Sequence, residues 1–233
     1  DSAYVAQNAG RVARALFEIA LKRGWVAVAA QLLRLAKMIE RRQWHFQSPL
    51  RQLVPPLGMQ AVRAVEQHAL EPHRLLDMDA AEVGALLRLP GVGGAVLRAA
   101  RRVPRLHIDT AVQPITRTVL RLTLHVRAAF EWDARVHHAA EPWWLWVEDA
   151  AGEHIYHAEY WVLHAAHARD THELALTVPV FEPLPPQYFV RAVSDRWLGA
   201  DHTFVVPFDG VRLPALHAPH TELLPLEPLP VAA

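Results

Sequence analysis

Fifteen histidines, 24 acidic side chains and no cysteine set the chemistry open to this 233-residue chain. Without cysteine there is no thiolate nucleophile, no disulfide and no thiolate zinc site, a set that suits a reducing compartment. Histidines fall close together at His137-His138, at His154 and His157, and at His164 and His167. A spacing of three in a strand puts the two rings on opposite faces, and no His-Glu-x-x-His pattern occurs, so these residues read as no metal site. None of Ser2, Ser48 and Ser194 stands in a Gly-x-Ser-x-Gly elbow. Lys22 is followed by Arg23 and Lys37 by Met38, so neither lysine closes a phosphate loop. Glu148 and Asp149 are adjacent, point to opposite faces of a strand, and read as charges at a turn edge. The residues thus predict no catalytic group, no metal and no cofactor in this chain.

What remains is binding chemistry. From Asp1 to Leu106 there are 16 basic and 8 acidic side chains, and from His107 to Ala233 there are 8 and 16. Arg88, Arg98, Arg101, Arg102 and Arg105 form the most one-sided basic stretch, with no acid between Glu82 and Asp109. Such a half suits a polyanion; equally, the two halves can attract each other, or the charges can simply face water.

Two sets of residues could touch a nucleic acid. At 100° per residue the first helical segment lines up Tyr4, Gln7, Arg11, Arg14, Glu18 and Lys22, opposite an apolar stripe of Val5, Ala9, Val12, Leu16, Ile19 and Ala20. Arginine meets phosphates, glutamine donates and accepts hydrogen bonds, and tyrosine stacks. The bland alternative is a solvated face in which Arg14 and Glu18 pair four residues apart. The second set is Leu89-Pro90-Gly91-Val92-Gly93, a tight turn between two short helices. Gly91 and Gly93 let backbone N–H groups approach a phosphate, and Arg98 adds positive potential, as in a helix-hairpin-helix. The same hairpin serves elsewhere as a packing unit.

These residues need elements to hold them. Helical periodicity covers residues 3–23, 26–42 and 58–68, with a stop at Gly24-Trp25, a turn at Ser48-Pro49-Leu50-Arg51 and a break at Pro55-Pro56. Asp79 and Glu82 match a capping box for a short helix ending near Leu89, and another helix reaches Val103 before Pro104. Beyond His107 the pattern alternates, predicting strands over 118–127, 143–148, 155–163, 174–180, 188–193 and 203–208. The fold class is α+β: a helical bundle (1–69), a helix-hairpin-helix domain (70–106) and an antiparallel immunoglobulin- or fibronectin-like β-sandwich (107–233), with an extended strap over 223–230. Trp143 and Trp146 are expected to pack the sandwich or dock partner proteins. No run approaches the length of a membrane span, and no signal-like region opens the chain. The opening Asp1, in place of an initiator methionine, reads as a start inside a longer protein.

Several segments carry a family resemblance. Tyr4-Val5-Ala6-Gln7-Asn8-Ala9-Gly10-Arg11, Ser48-Pro49-Leu50-Arg51-Gln52, Gln113-Pro114-Ile115-Thr116-Arg117, Phe181-Glu182-Pro183-Leu184-Pro185-Pro186-Gln187-Tyr188 and Arg191-Ala192-Val193-Ser194-Asp195-Arg196-Trp197 resemble the Sec sixty-three-type module of large superfamily-two helicases. Within that family Glu141-Pro142-Trp143-Trp144-Leu145-Trp146-Val147-Glu148-Asp149, His154-Ile155-Tyr156-His157 and Pro219-His220-Thr221-Glu222-Leu223-Leu224 resemble the first cassettes of cointegrator-complex helicases more than the spliceosomal ones. The resemblance implies a non-catalytic accessory part of an ATP-dependent 3′-to-5′ helicase, N-terminally incomplete here, with ATP and Mg in motor domains outside this chain. It also implies that the first helix is a ratchet helix, with Gln7, Arg11 and Arg14 touching a single strand of DNA or RNA. Implied partners are the motor and winged-helix domains, a second cassette or complex subunits, and no membrane, in nucleus and cytoplasm. The implied roles are alkylation-damage repair, transcriptional coactivation and disassembly of stalled ribosomes. The competing expectation is a protein-interaction scaffold, between cassettes or translocon-type, that never touches nucleic acid.

Overall fold

The computed structural model describes residues 2–215, so the expected strap over 223–230 and the segment Pro219-His220-Thr221-Glu222-Leu223-Leu224 lie outside the described residues. The chain is α+β. Helices α1 (Ser2–Lys22) and α2 (Val26–Arg41) come first, followed by a 3-10 turn at Pro49–Leu53, α3 (Val54–Leu57), α4 (Met59–Gln67), α5 (Pro72–Leu76), α6 (Ala80–Leu86) and α7 (Gly93–Arg102). Strands β1 (Leu106–Thr116), β2 (Val119–Ala128), β3 (Ala140–Glu148), β4 (Ile155–His164), β5 (His172–Pro179), β6 (Gln187–Ser194) and β7 (Asp201–Pro207) follow, with α8 (Ala134–His137) between β2 and β3.

Local chemistry sets the helix ends. Gly24 takes φ +75°, and Trp25 N–H reaches Ala20 O while Gly24 N–H reaches Leu21 O, satisfying the last carbonyls of α1. Asp79 Oδ1 accepts from Ala81 N and Glu82 N at 2.7 and 2.8 Å, and Glu82 Oε2 accepts from Asp79 N at 2.8 Å, the reciprocal cap expected for α6. Gly93 opens α7 where it crosses α6: a Cβ there would sit 1.9 Å from Ala80 O. Gly93→Ala is therefore expected to lose about 3 kcal/mol, because backbone rather than a pliable side chain must move. Gly94→Ala, whose Cβ would meet nothing nearer than Arg98 at 3.5 Å, is the near-neutral control, and urea unfolding of both variants checks the contrast.

The strands form two antiparallel sheets, ordered β1-β2-β5 and β4-β3-β6-β7. Strand β1 was not among the expected strands. Only Leu106 and Ile108 are buried on it, and it contains Pro114, which an edge strand tolerates because its outer N–H groups need no partner. Leu120, Leu122, Leu124 and Leu176 of the smaller sheet share one core with Trp143, Leu145, Val190 and Val206 of the larger, and that core continues into Leu50, Val62, Leu75, Val83 and Val96 of the helices. Trp143 and Trp146 are fully buried, so they pack the fold and are not available to a partner. Glu148, expected at a turn edge, is buried as well, accepting from Trp146 Nε1 at 2.7 Å and from Arg191 at 3.2 Å.

Strand β3 is buried on both faces. Trp143, Leu145 and Val147 face the second sheet, whereas Trp146 joins Ile155 and Val193 beneath the α1–α2 hairpin, against Phe17, Ala20, Val26, Ala29 and Leu33. The hairpin tip is stitched on by Ile155 N–H donating to Gly24 O at 2.9 Å and by a bridge between Trp25 and His154. This seating corrects the expected apolar stripe of α1. Gly10, Ala13, Phe17 and Ala20 are the buried positions, while Val5, Val12, Leu16 and Ile19 are exposed. Small residues let α1 approach α2 closely, as Gly10 does beside Ile39 and Glu40, and the longer aliphatic residues are left outside. No described helix is long and apolar enough to cross a membrane.

Candidate nucleic-acid interface

The six residues singled out for strand contact fall in two places. Gln7, Arg11 and Arg14 ride on α1, which packs on α2; Gly91, Gly93 and Arg98 surround the start of α7, which packs on α5 and α6. Gln7 lies within α1, with its side chain outside the described ones. Arg11 is exposed and enters no ion pair among the described residues.

Arg14 is differently placed. Its Nε and Nη2 bind the two oxygens of Glu40 at 2.6 and 2.9 Å, Nη1 binds Asp195 Oδ1 at 2.7 Å, and Nη2 also reaches Asp195 O at 3.1 Å. Asp195 Oδ1 accepts from Trp144 Nε1 as well, at 2.8 Å. The Glu40 hydrogen bonds hold the guanidinium above its ordinary pKa against the opposing effect of partial burial. Arg14 thus ties α1 to α2 and to the turn after β6, and the pairing with Glu18 weighed from spacing is replaced by two partners distant in sequence.

At the second place Gly91 is exposed at φ +84° with open space where a Cβ would stand, whereas Gly93 is buried against α6. Arg98 is exposed, and its Nη1 lies near Gly94 in the first turn of α7. The rest of the basic stretch is partly spent on the fold: Arg101 pairs with Glu131 at 3.7 Å, Arg102 with Asp133 at 3.2 Å, and Arg105 donates to Ala129 O at 3.3 Å. With Arg14 to Asp195 and Lys37 to Asp201, these contacts show the basic and acidic halves attracting each other directly.

The segments carrying the family resemblance turn out to be joints. Ser48 N–H and the Arg51 guanidinium both bind Glu66, the Arg51 hydrogen bond holding that carboxyl below its usual range, and Gln52 brackets Leu198 through its N–H and C=O. Ser194 Oγ accepts from Arg196 N and Trp197 N, Arg196 donates to Ala140 O, and Trp197 Nε1 donates to Glu141. Arg117 of one segment pairs with Glu182 of another. No sequence signal alone paired these segments.

Among the described residues no group of three or more His, Asp or Glu could hold a metal ion. His137 is buried between Arg102 O and Asp133 N–H, at 2.8 and 2.9 Å, and burial lowers its pKa, so the ring is a neutral strut. Neither lysine closes a phosphate loop in the fold: Lys37 is buried against backbone carbonyls, and Lys22 stands at the end of α1.

Comparison with known proteins adds to this geometry. A family model described as "Sec63 Brl domain" matches residues 1–207. The chain is 46% identical over 238 residues to activating signal cointegrator 1 complex subunit 3 of Bos taurus. It is 46% identical over 233 residues to the DExH-box ATP-dependent RNA helicase DExH12 of Arabidopsis thaliana, and 44% identical over 233 residues to the U5 small nuclear ribonucleoprotein 200 kDa helicase of Homo sapiens. Each match covers 100% of this chain and 11% of the relative, so the chain spans about a ninth of the length of these curated relatives.

Proposed function

This chain belongs to the Sec63 Brl domain family, and from that footing we propose that it is a non-catalytic accessory module of an ATP-dependent 3′-to-5′ helicase, guiding single-stranded DNA or RNA and bracing the motor cassette. The observation that carries this reading is identity along the full chain to two proteins named as helicases. In this reading residues 1–69 are a helical bundle with a ratchet helix, 70–106 a helix-hairpin-helix unit, and 107–233 an immunoglobulin-like sandwich. ATP and Mg belong to motor domains outside this chain. The partners are those motor and winged-helix domains, a second cassette or complex subunits, and the parent acts in nucleus and cytoplasm, in DNA repair, transcription coactivation and stalled-ribosome disassembly.

Of Gln7, Arg11 and Arg14 on α1, Arg11 is exposed and enters no ion pair among the described residues, so it is placed to hold phosphate while neighbouring domains move the strand. Arg14 supports the same role by fixing the orientation of α1. Arg11→Ala is expected to weaken binding of labelled single-stranded oligonucleotide several-fold and to lower the salt slope by about one counterion. Fluorescence anisotropy across a salt series checks it; binding indifferent to Arg11 would remove that residue from the contact. Arg14→Ala is a poor test, because it also breaks the clamp to Glu40 and Asp195.

A second reading, a scaffold acting only through neighbouring protein, draws on one observation. Val12, Leu16 and Ile19 of α1 and Val28 and Leu35 of α2 are exposed apolar side chains on one helical hairpin, a kind of strip that marks protein contact. In the same titration, no oligonucleotide binding at low salt favours the scaffold.

A further inference from the structure

The loop after α2 presents an aromatic pair that the fold does not use. Trp44 and Phe46 are 59% and 74% exposed, belong to neither apolar core, and hold their rings 9° from parallel with centroids 6.2 Å apart. His45 stands edge-on to Phe46 at 5.6 Å. The loop that carries them is closed by its own hydrogen bonds. Arg42 takes φ +50° and caps α2; Trp44 N–H donates to Gln47 Oε1 at 2.9 Å; Gln47 N–H donates to Trp44 O at 3.1 Å; and the buried Gln43 side chain donates to Ser48 O at 3.0 Å. The rings are therefore displayed on a fixed backbone.

Their surroundings point to an anion with flat faces. Arg42 precedes the pair and is exposed, while Arg41 donates to Arg196 O and lies over the Trp197 ring; of the acids nearby, Glu40 is held by Arg14, Glu66 by Arg51, and Glu71 lies beside His73. Parallel rings beside cations match a nucleobase and its phosphates, since every base has a π-face and stacking needs no sequence. Location adds a further argument. Helix α2 runs back along α1, so that Glu40 reaches Arg14 and packs beside Gly10, which places the loop at the end of the hairpin that carries Gln7 and Arg11.

We propose that Trp44 and Phe46 are a base-stacking platform for single-stranded nucleic acid, with Arg42 and His45 alongside to meet its phosphates. It is a contact separate from the polar line of α1, and it rests on the strand-guiding reading above.

The test is anisotropy of labelled dT and rU 20-mers, and of an abasic 20-mer of equal charge, with the 233-residue chain at low salt. The double variant Trp44→Ala, Phe46→Ala is expected to bind the base-carrying strands roughly tenfold or more weakly while its affinity for the abasic strand stays unchanged. Trp44→Phe restores most of the loss if stacking is the contact. Because both rings lie outside the core, thermal unfolding of the variants is expected to match the parent chain. Base-carrying strands bound equally by the double variant overturn the platform alone, leave the α1 contact standing, and assign the pair to protein docking. Equal weakening toward the abasic strand also overturns it, because stacking then contributes nothing. No binding of any strand by the unmodified chain overturns the platform and the strand-guiding reading together, while loss of binding on Arg11→Ala alone separates the two.

Discussion

Replacing Lys37 with Met is expected to cost about 4 kcal/mol of stability, the range found when one partner of a buried charged pair is removed. Lys37 is 1% exposed, and its ammonium donates to Ser194 O and Trp197 O at 3.0 Å each and to Asp201 Oδ1 at 3.1 Å. Methionine fills the volume but leaves two carbonyls and a carboxylate facing an apolar side chain. Lys37→Arg is not expected to rescue, because a planar fork does not reproduce three donors on one atom. Urea unfolding measures both; a loss under 1 kcal/mol for Lys37→Met would show that water takes over all three acceptors. The consequence reaches α1, since the same turn carries Asp195, which holds Arg14 and so sets how α1 faces solvent.

The second large effect is a pH dependence. Glu141 is fully buried on β3, accepts from Trp197 Nε1 at 3.1 Å, and leaves Oε2 without a hydrogen-bond partner; burial pushes its carboxyl up to about 7 from an ordinary 4.5. Between those two values the folded chain keeps a proton that the unfolded chain releases. Stability from this group is therefore whole below pH 4.5 and lost as pH rises through 7. Glu141→Gln cannot titrate, so its stability relative to the unmodified chain is expected to improve by about 3 kcal/mol between pH 4 and pH 8. Urea unfolding at both pH values reads that difference directly. Parallel curves for the two chains would mean that the Arg196 and Arg41 charges, with water, hold the carboxylate ionised.

Both effects centre on residues that looked inert in the sequence. Lys37 was singled out there only to exclude a phosphate loop, and Glu141 only as part of a family segment. In the fold they meet at one turn, where the Trp197 carbonyl accepts from Lys37 and its indole N–H donates to Glu141. That turn joins the helices to the larger sheet. Loosening it is expected to disturb the proposed strand contact without touching Gln7 or Arg11.

Much of this protein was legible one segment at a time. The Asp79 and Glu82 cap, the Gly24 stop, the helices around them and every strand from β2 onward follow from turn chemistry and periodicity, because each depends on groups within about five residues of one another. Family membership was legible too, from motifs in a fixed order. What the sequence could not decide is which face of α1 is buried, since a small-residue face and an aliphatic face both repeat at helical spacing. Nor could it say whether Arg14 is free, because its partners lie 26 and 181 positions away. The tertiary structure decided both: Gly10 packs against α2 while Phe17 and Ala20 seat over Trp146 of β3, and of the charges that settle Arg14, Glu40 comes from α2 and Asp195 only when the sheet docks. The stacked exposure of Trp44 and Phe46 belongs to the same class, since solvent access is a property of what the rest of the chain leaves uncovered.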